Sequence, residues 1–452
     1  MNSVNDNKKM IQNSTLTNKY NLVVKFLKYI CPRVLRRNQI VEIMYNRIGF
    51  FIISKFFGPR IYRRIDIPDF KEILSSFYST VSSRVNLAKE VFLIFDHSLG
   101  GGANFYINNW IEKEKQCNAI FLVKYFPFFN AYLLSFYFRA YFVEFKLLDI
   151  QDLWLLFDHV NIRKIIFNEL VSYPFPVNIA KEIAALKEKH PFKLIFLVHD
   201  YYVICPNCNL FDTINKKYCG GSSISCSSCL KRYRFLTYPY LFPKDFTNLP
   251  DWKNKWSLFL ESYVDQIICF SNFSRELLLN TYKNIDHTKM KVTPHNIEPL
   301  PLVTITKKND DENINIGILG HIHNEVKGAK VVREIARLIE KERISNVKII
   351  VIGTLNRRYL HSNIQVIGEY RRDELPELIM RHKIDIVLLP SICPESFSYV
   401  VGEAMIMQLP IAVFDLGAQA ERVKHYEKGL VIKDVNAKIA LESIVNFVKE
   451  DL

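Results

Sequence analysis

Short apolar runs alternate with helical patterns over most of this chain. Between residues 90 and 300, the runs Val91–Phe95, Ile120–Val123, Ile165–Asn168, Leu194–Val198 and Gln266–Phe270 are nearly continuous in apolar residues. That is the signature of strands buried on both faces. Asn104–Lys115, Val177–His190 and Ser274–Tyr282 carry helical patterns between or after them. Residues 301–430 repeat the alternation. Strands are predicted at Ile314–Leu319, Lys348–Ile352, Ile364–Ile367, Asp385–Leu389 and Ile411–Phe414. Helices are predicted at Ala329–Arg343, Arg372–Arg381, Tyr399–Met407 and Ala418–His425. The expected class is therefore α/β, with two doubly wound, Rossmann-like domains built on open parallel sheets.

The first domain is expected over residues 89–300 and the second over 301–434. Pro299–Glu312, with two prolines followed by a charged tract, reads as the join. A final helix is expected within 435–452, its apolar positions running from Val435 to Phe447. Two such domains would leave a cleft between the carboxyl ends of their strands, where open α/β sheets bind ligands.

Residues 1–88 differ. Their first 20 positions are rich in Asn, Ser, Thr and Lys and are expected to be disordered. Beyond these, Val23, Phe26, Leu27 and Ile30, then Ile40, Ile43, Met44, Arg47, Ile48 and Phe51, fall at helical spacing. Residues 1–85 hold 15 Lys/Arg against 5 Asp/Glu, so most of the net charge of +14 lies there. Such a basic helical extension either packs on the next domain or meets an anionic membrane surface. Nucleic acid is not expected as a partner, because no recognised module accompanies the charge.

The 452 residues suffice for two or three domains. No secretory signal is visible, and Ala119–Phe138, the longest aromatic-apolar run, is interrupted by Lys124, Pro127 and Asn130. The chain is expected to be cytoplasmic, with peripheral attachment to the inner face of the plasma membrane as the extension's role. In that compartment nine cysteines suggest thiols or metal ligands before disulfides. Cys205 and Cys208 form one C-x2-C, Cys226 and Cys229 another, and Cys219 lies between, in an irregular insertion over 203–232. Four of the five could hold a structural zinc; reduced thiols and a redox disulfide are the competing readings.

The candidate chemistry sits at predicted strand ends. Glu395 and Glu403 flank the hydroxyl-rich turn Ser396, Phe397, Ser398 and Tyr399, which opens a helix after the strand Asp385–Leu389. Free amides and the helix dipole make such a turn an anion site. Carboxylates beside it suit a ligand that has hydroxyls as well as phosphates. Gly320 follows another strand and precedes His321 and Lys327, so backbone and ammonium could approach phosphate together. Gly353, Thr354 and Tyr370 follow the next two strands and could border a base. In the first domain, Gly100, Gly101, Gly102 and Asn104 form a glycine turn before a helix, without a dinucleotide fingerprint. His199 and Asp200 end a further strand, where His199 could donate to a substrate oxygen or act as a base. Each feature alone also reads as an ordinary capped helix or strand-end turn.

Together these residues resemble GT-B fold glycosyltransferases, and more closely the retaining, family-four (group 1) type. Glu395 to Glu403 matches that family's E-x7-E motif, with Ala404, Met405, Leu409 and Pro410 following. Lys327-Gly328 matches its K-G element, Gly101-Gly102 its first-domain glycine loop, and His199-Asp200 sits where many members have a strand-end His. The resemblance covers about residues 90–430. One departure is His321, where many members carry Arg. The resemblance implies a sugar moved from a nucleotide-sugar donor to a glycan or lipid-linked acceptor, as in bacterial surface polysaccharide synthesis. It implies that Lys327, His321 and the 396–398 amides hold the diphosphate, Glu403 the ribose, Glu395 the donor sugar. His199 would line the sugar pocket, the glycine loop would border the acceptor, and catalysis would require no metal. A sugar-nucleotide epimerase and a catalytically weak nucleotide-sugar-binding protein are the alternatives.

Overall fold

The computed structural model describes residues 47, 50–51, 53–63, 66–71, 74–303 and 313–450. The disordered start, the helical pattern before residue 47 and most of the expected join lie outside the described residues. The chain divides into two compact units. One comprises Met1–Cys208, Ile224–Ile268 and Tyr282–Lys291, and the other Asn209–Ser223, Cys269–Thr281 and Val292–Leu452.

The first unit is built on an eight-stranded sheet. Its strands in chain order are β1 (Val91–His97), β2 (Ala119–Phe126), β3 (Ala131–Phe138), β4 (Tyr141–Leu147), β5 (Lys164–Phe167) and β6 (Lys193–Val198). A two-residue hairpin, β7 (Phe211–Asp212) and β8 (Lys217–Tyr218), comes next in sequence, and β9 (Gln266–Cys269) and β10 (Met290–Val292) complete the sheet. The spatial order is β10-β9-β6-β5-β1-β2-β3-β4. β1 pairs in parallel with β2 and β5, and β5 with β6, as the alternating pattern predicts.

The other edge departs from the expected parallel sheet. β2, β3 and β4 are antiparallel, and Pro127 and Asn130, the residues that interrupt the apolar run, lie in the turn between β2 and β3. Every residue of β3 is buried, so this part of the sheet is covered on both faces and reads without polar alternation. The helix Leu249–Ser262 was not predicted. Asn248 caps it, accepting from the Asp251 amide at 2.9 Å, and Trp252, Trp256, Phe259 and Leu260 form its buried face. The insertion over 203–232 is likewise more regular than expected, since Cys226–Leu236 is helical.

The second unit holds β11 (Ile314–Ile322), β12 (Val347–Leu355), β13 (Ile364–Gly368), β14 (Ile386–Leu389), β15 (Ile411–Phe414) and β16 (Gly429–Ile432). Their order is β13-β12-β11-β14-β15-β16, and every pairing is parallel. This is the Rossmann order, with its reversal between β11 and β14. The helix Ala329–Lys341 buries Val331, Val332, Ile335, Ala336 and Ile339 against one face. Each large aliphatic side chain there stabilises by roughly 1.5–3 kcal/mol.

Three segments depart from the expected boundaries. Asn209–Ser223 joins the second unit because Phe211 is buried in that core, with Tyr218 packed beside it. Cys269–Thr281 joins it because Glu421 caps the helix Asn272–Thr281, accepting from the amides of Asn272 at 3.0 Å and Phe273 at 2.8 Å. The second unit also begins at Val292 rather than residue 301. Such long-range contacts leave no mark in local sequence periodicity. Among the described residues no helix is long and apolar enough to cross a membrane.

Candidate functional site

In the second unit, the predicted residues gather at the carboxyl ends of β11, β12 and β14. Gly320 and Gly353 lie two residues before the ends of β11 and β12, and Gly368 ends β13, with Gly320 in register with Gly353 and Gly353 with Gly368. All three have positive φ. A Cβ at Gly353 would lie 2.0 Å from the Gly320 carbonyl oxygen, so this shelf admits no side chain there. Beside Gly320, the His321 Nδ1 lies 2.9 Å from Thr354 Oγ1, and the same hydroxyl is 3.3 Å from His323 Nε2. The two imidazoles stack at 5.5 Å. His323 is thus a neighbour that the sequence reading did not single out.

The turn after β11 delivers Lys327. Asn324 Oδ1 accepts from the Lys327 amide at 3.0 Å, and Gly328 adopts a left-handed conformation to start the helix Ala329–Lys341. Lys327 Nζ donates to Glu395 Oε1 at 2.6 Å. Ser391 Oγ donates to the same oxygen at 2.8 Å, and the Glu395 amide donates to Gln419 Oε1 at 2.8 Å. Desolvation would push the Glu395 carboxyl up, but the Lys327 ammonium and the hydrogen bonds to the carboxylate outweigh it and hold it below the usual range. The pair therefore joins the loops after β11 and β14, on the two sides of the sheet's reversal.

The loop between the two glutamates is held from below. Ser398, at φ +68°, precedes the helix Tyr399–Ile406 and its hydroxyl is buried. Arg422 Nη1 donates to the carbonyls of Phe397 at 3.1 Å and Ser398 at 2.8 Å, and its guanidinium lies 4.3 Å from the Phe397 ring centroid. Burial brings the Arg422 guanidinium down to about 10. With both carbonyls tied to Arg422, the backbone at the helix start is fixed. Below it, His295 packs between Phe397, at 4.4 Å, and Phe270, at 4.0 Å, with Tyr399 at 5.1 Å. Burial, aided by the Arg422 charge, pushes the His295 imidazole down to about 3, so it is neutral at physiological pH.

Glu403 is buried on the same helix and accepts from Arg372 Nε at 2.8 Å; Arg372 also donates to the Glu298 carbonyl at 2.6 Å. Burial raises the Glu403 carboxyl, and Arg372 only partly offsets it. Tyr370, expected as a stacking face, is half-buried against the hydrophobic core beside this pair, and burial followed by the Glu403 charge raises its hydroxyl. Ser396 is half-buried in the same loop. Arg372, Arg422, Ser391, Gln419 and His295 were missed as site residues. Each lies outside the turns that carry the motif, and only Arg372 and Arg422 bore a charge that could have flagged them.

In the first unit, Gly100 and Gly101 have positive φ and, with Gly102, form an exposed turn before the helix Gly102–Glu114. Asn104 is buried, and its amide donates to the Asp96 carboxylate and to the His97 carbonyl, the latter at 2.9 Å. Asn168 Nδ2 donates to the other Asp96 oxygen at 2.8 Å, and Asn168 Oδ1 lies 2.9 Å from His199 Nε2. His199 is thereby oriented through Asn168 by a buried carboxylate. Desolvation pushes Asp200 up to about 6, while its Oδ1 accepts from the Tyr202 amide at 2.8 Å. Asp96, Asn168 and the neighbouring buried Glu169 were not predicted.

Of the five clustered cysteines, Cys205, Cys208, Cys226 and Cys229 lie in the first unit and Cys219 in the second. Among the described residues no group of three or more His, Cys, Asp or Glu side chains is placed to hold a metal ion. The Cys208 thiol is pushed up by burial and by the Asp200 carboxyl.

Residues 313–450 match the family model described as glycosyl transferases group 1. No curated protein matches the chain in sequence. Among solved structures the chain is similar to sucrose-phosphate synthase from Thermosynechococcus elongatus, at 12% identity over 80% of this chain and 90% of that one, with a TM-score of 0.50. It is also similar to HepE of Anabaena in complex with UDP and glucose, at 15% identity over 80% and 90%, TM-score 0.46. A third similar structure is the lipopolysaccharide outer core galactosyltransferase WaaB, at 12% over 79% and 90%, TM-score 0.47. At such identities the likeness is one of fold.

Proposed function

We propose, from the match of residues 313–450 to the glycosyl transferases group 1 family model, that this protein transfers a hexose from a nucleotide-sugar donor, with retention, to a glycan or lipid-linked acceptor. The observation that carries this reading is the Lys327–Glu395 pair across the sheet's reversal, beside the glycine shelf. A cation for phosphate and a carboxylate for sugar hydroxyls stand together where a Rossmann sheet binds nucleotides.

In this reading the diphosphate lies against Lys327, His321 and the amides at the start of the helix Tyr399–Ile406. Glu395 holds hydroxyls of the donor sugar, and Glu403 those of the ribose. The bond from the anomeric carbon to the phosphate oxygen breaks, the acceptor oxygen bonds to that carbon on the same face, and the acceptor proton passes to the leaving phosphate. Ammonium and helix dipole stabilise the charge that develops, so no metal is required of this mechanism. The acceptor falls to the first unit, with His199 and the 100–102 turn as its candidate residues. Assembly of a bacterial surface polysaccharide, with residues 1–88 on the inner face of the membrane, is the setting that fits these assignments.

The test is a thermal-shift panel of nucleoside diphosphates and nucleotide sugars. At a hundred times Kd, one of them should stabilise the protein by about 2.7 kcal/mol. The shift should shrink in Lys327→Met. If no nucleotide stabilises the wild-type protein, the reading is wrong.

A further inference from the structure

A cavity of about 490 Å³ lies in the first unit, apart from the residues assigned above. It is lined by rings and prolines: Phe50, Tyr125, Tyr240 and Phe242, with Pro127 and Pro174. Phe50 packs edge-on to Phe128 at 5.3 Å and against Tyr240 at 5.1 Å, so the wall is a consolidated aromatic cluster. The volume is that of a small-molecule site, with room for an apolar chain of roughly a dozen carbons at the packing density of a protein interior.

Its charged lining is cationic. Beside Ser54, Asn130 and Ser172 stand Arg47, Lys55 and Lys244, and among the described residues no carboxylate lines it. Arg47 is fixed by donation to the carbonyls of Arg234 at 2.7 Å and Phe235 at 3.0 Å. Lys55 and Lys244 are exposed, each near an aromatic ring: Lys55 Nζ is 5.1 Å from the Phe51 centroid and Lys244 Nζ 5.6 Å from that of Phe175. Those rings are themselves exposed, Phe51 by 51% and Phe175 by 43%, as is Phe235 by 46%. An apolar cavity with Phe51 and three basic side chains in its lining, and the exposed rings of Phe175 and Phe235 beside two of those cations, suits a ligand with an apolar body and an anionic head.

We propose that this cavity binds a phosphate-bearing apolar chain, the chain among the rings and the phosphate at Lys55 and Lys244. The site stands on the first unit alone, so its failure would leave the nucleotide reading untouched.

The experiment uses the full chain and calorimetry with dodecyl phosphate below its micelle concentration. Dodecyl maltoside serves as the chain-only probe and inorganic phosphate as the charge-only probe. Saturable binding of dodecyl phosphate, one per chain, is expected, with the maltoside bound at least about tenfold more weakly and inorganic phosphate not detectably. The double variant Lys55→Glu/Lys244→Glu, changed only at exposed positions, should weaken dodecyl phosphate by about tenfold, the sum of two modest surface ion contacts. Lys330→Glu/Lys438→Glu, exposed in the second unit, is the charge-matched control and should bind as the parent does. Equal binding of dodecyl phosphate and maltoside would overturn the proposal. So would equal affinity in the Lys55/Lys244 variant, or equal weakening in the control.

Discussion

Lys327 Nζ and Glu395 Oε1 lie 2.6 Å apart and connect the loop after β11 to the loop after β14. The two residues come from opposite sides of the strand-order reversal, so the contact exists only once the sheet has formed. A ligand phosphate would compete with Glu395 for the ammonium, and a sugar hydroxyl would compete with the ammonium for Glu395. The two variants should therefore separate binding from chemistry. Lys327→Met should weaken nucleoside diphosphate binding by at least about tenfold, the scale of one lost charge-assisted contact. Glu395→Gln should leave that affinity within about threefold and lower turnover instead, a split that steady-state kinetics reads directly.

Arg372 and Glu403 form a second pair, with the carboxyl already raised by burial. In Arg372→Ala the carboxylate loses its counter-ion, at a cost of about 1–3 kcal/mol at neutral pH. A raised folded value means that the native state binds a proton more readily than the unfolded chain does. The deficit should thus grow as pH rises through and above the carboxyl range. Urea titrations at pH 5 and pH 8 should show the larger loss at pH 8; a larger loss at pH 5 would contradict this account.

His295 provides a pH prediction of its own. Its folded value is about 3, against 6.5 for an ordinary imidazole. Between those values the unfolded chain binds a proton that the native state does not, so stability falls as pH is lowered from about 6.5 towards 3, by at most about 1.4 kcal/mol per pH unit. His295→Phe keeps a ring against Phe397 and removes the titration. The variant should lose less stability than the parent between pH 6.5 and pH 4, as measured by chemical denaturation.

Two glycines should tolerate no side chain. A Cβ at Gly328 would lie 1.9 Å from the Pro390 carbonyl oxygen, and one at Gly353 2.0 Å from that of Gly320; both residues have positive φ. Gly328→Ala and Gly353→Ala should each destabilise the protein by more than about 1 kcal/mol. Gly100→Ala faces open space and carries only the positive-φ strain, so its thermal shift should be smaller.

Much of the fold was legible because buried parallel strands need unbroken apolar runs, and these stand out in β1, β11, β12 and β15. The antiparallel β2–β4 edge was hidden because β3 is buried throughout and shows no alternation to distinguish it. The helix Leu249–Ser262 was missed, although its tryptophans sit four residues apart on one buried face.

The sequence by itself determined which turns could serve a ligand: glycines at strand ends, Lys327 before a helix, and two glutamates around a small turn. Local chain chemistry decides those, since positive φ and free amides are properties of a few adjacent residues. The tertiary structure alone decided the partners. It set Lys327 on Glu395, Arg372 on Glu403, Arg422 under the Phe397 and Ser398 carbonyls, and Asp96 behind Asn168 and His199. Those pairs join residues 24 to 72 positions apart, and no periodicity records them. Strand order brings them together, and burial then fixes how their charges are shared.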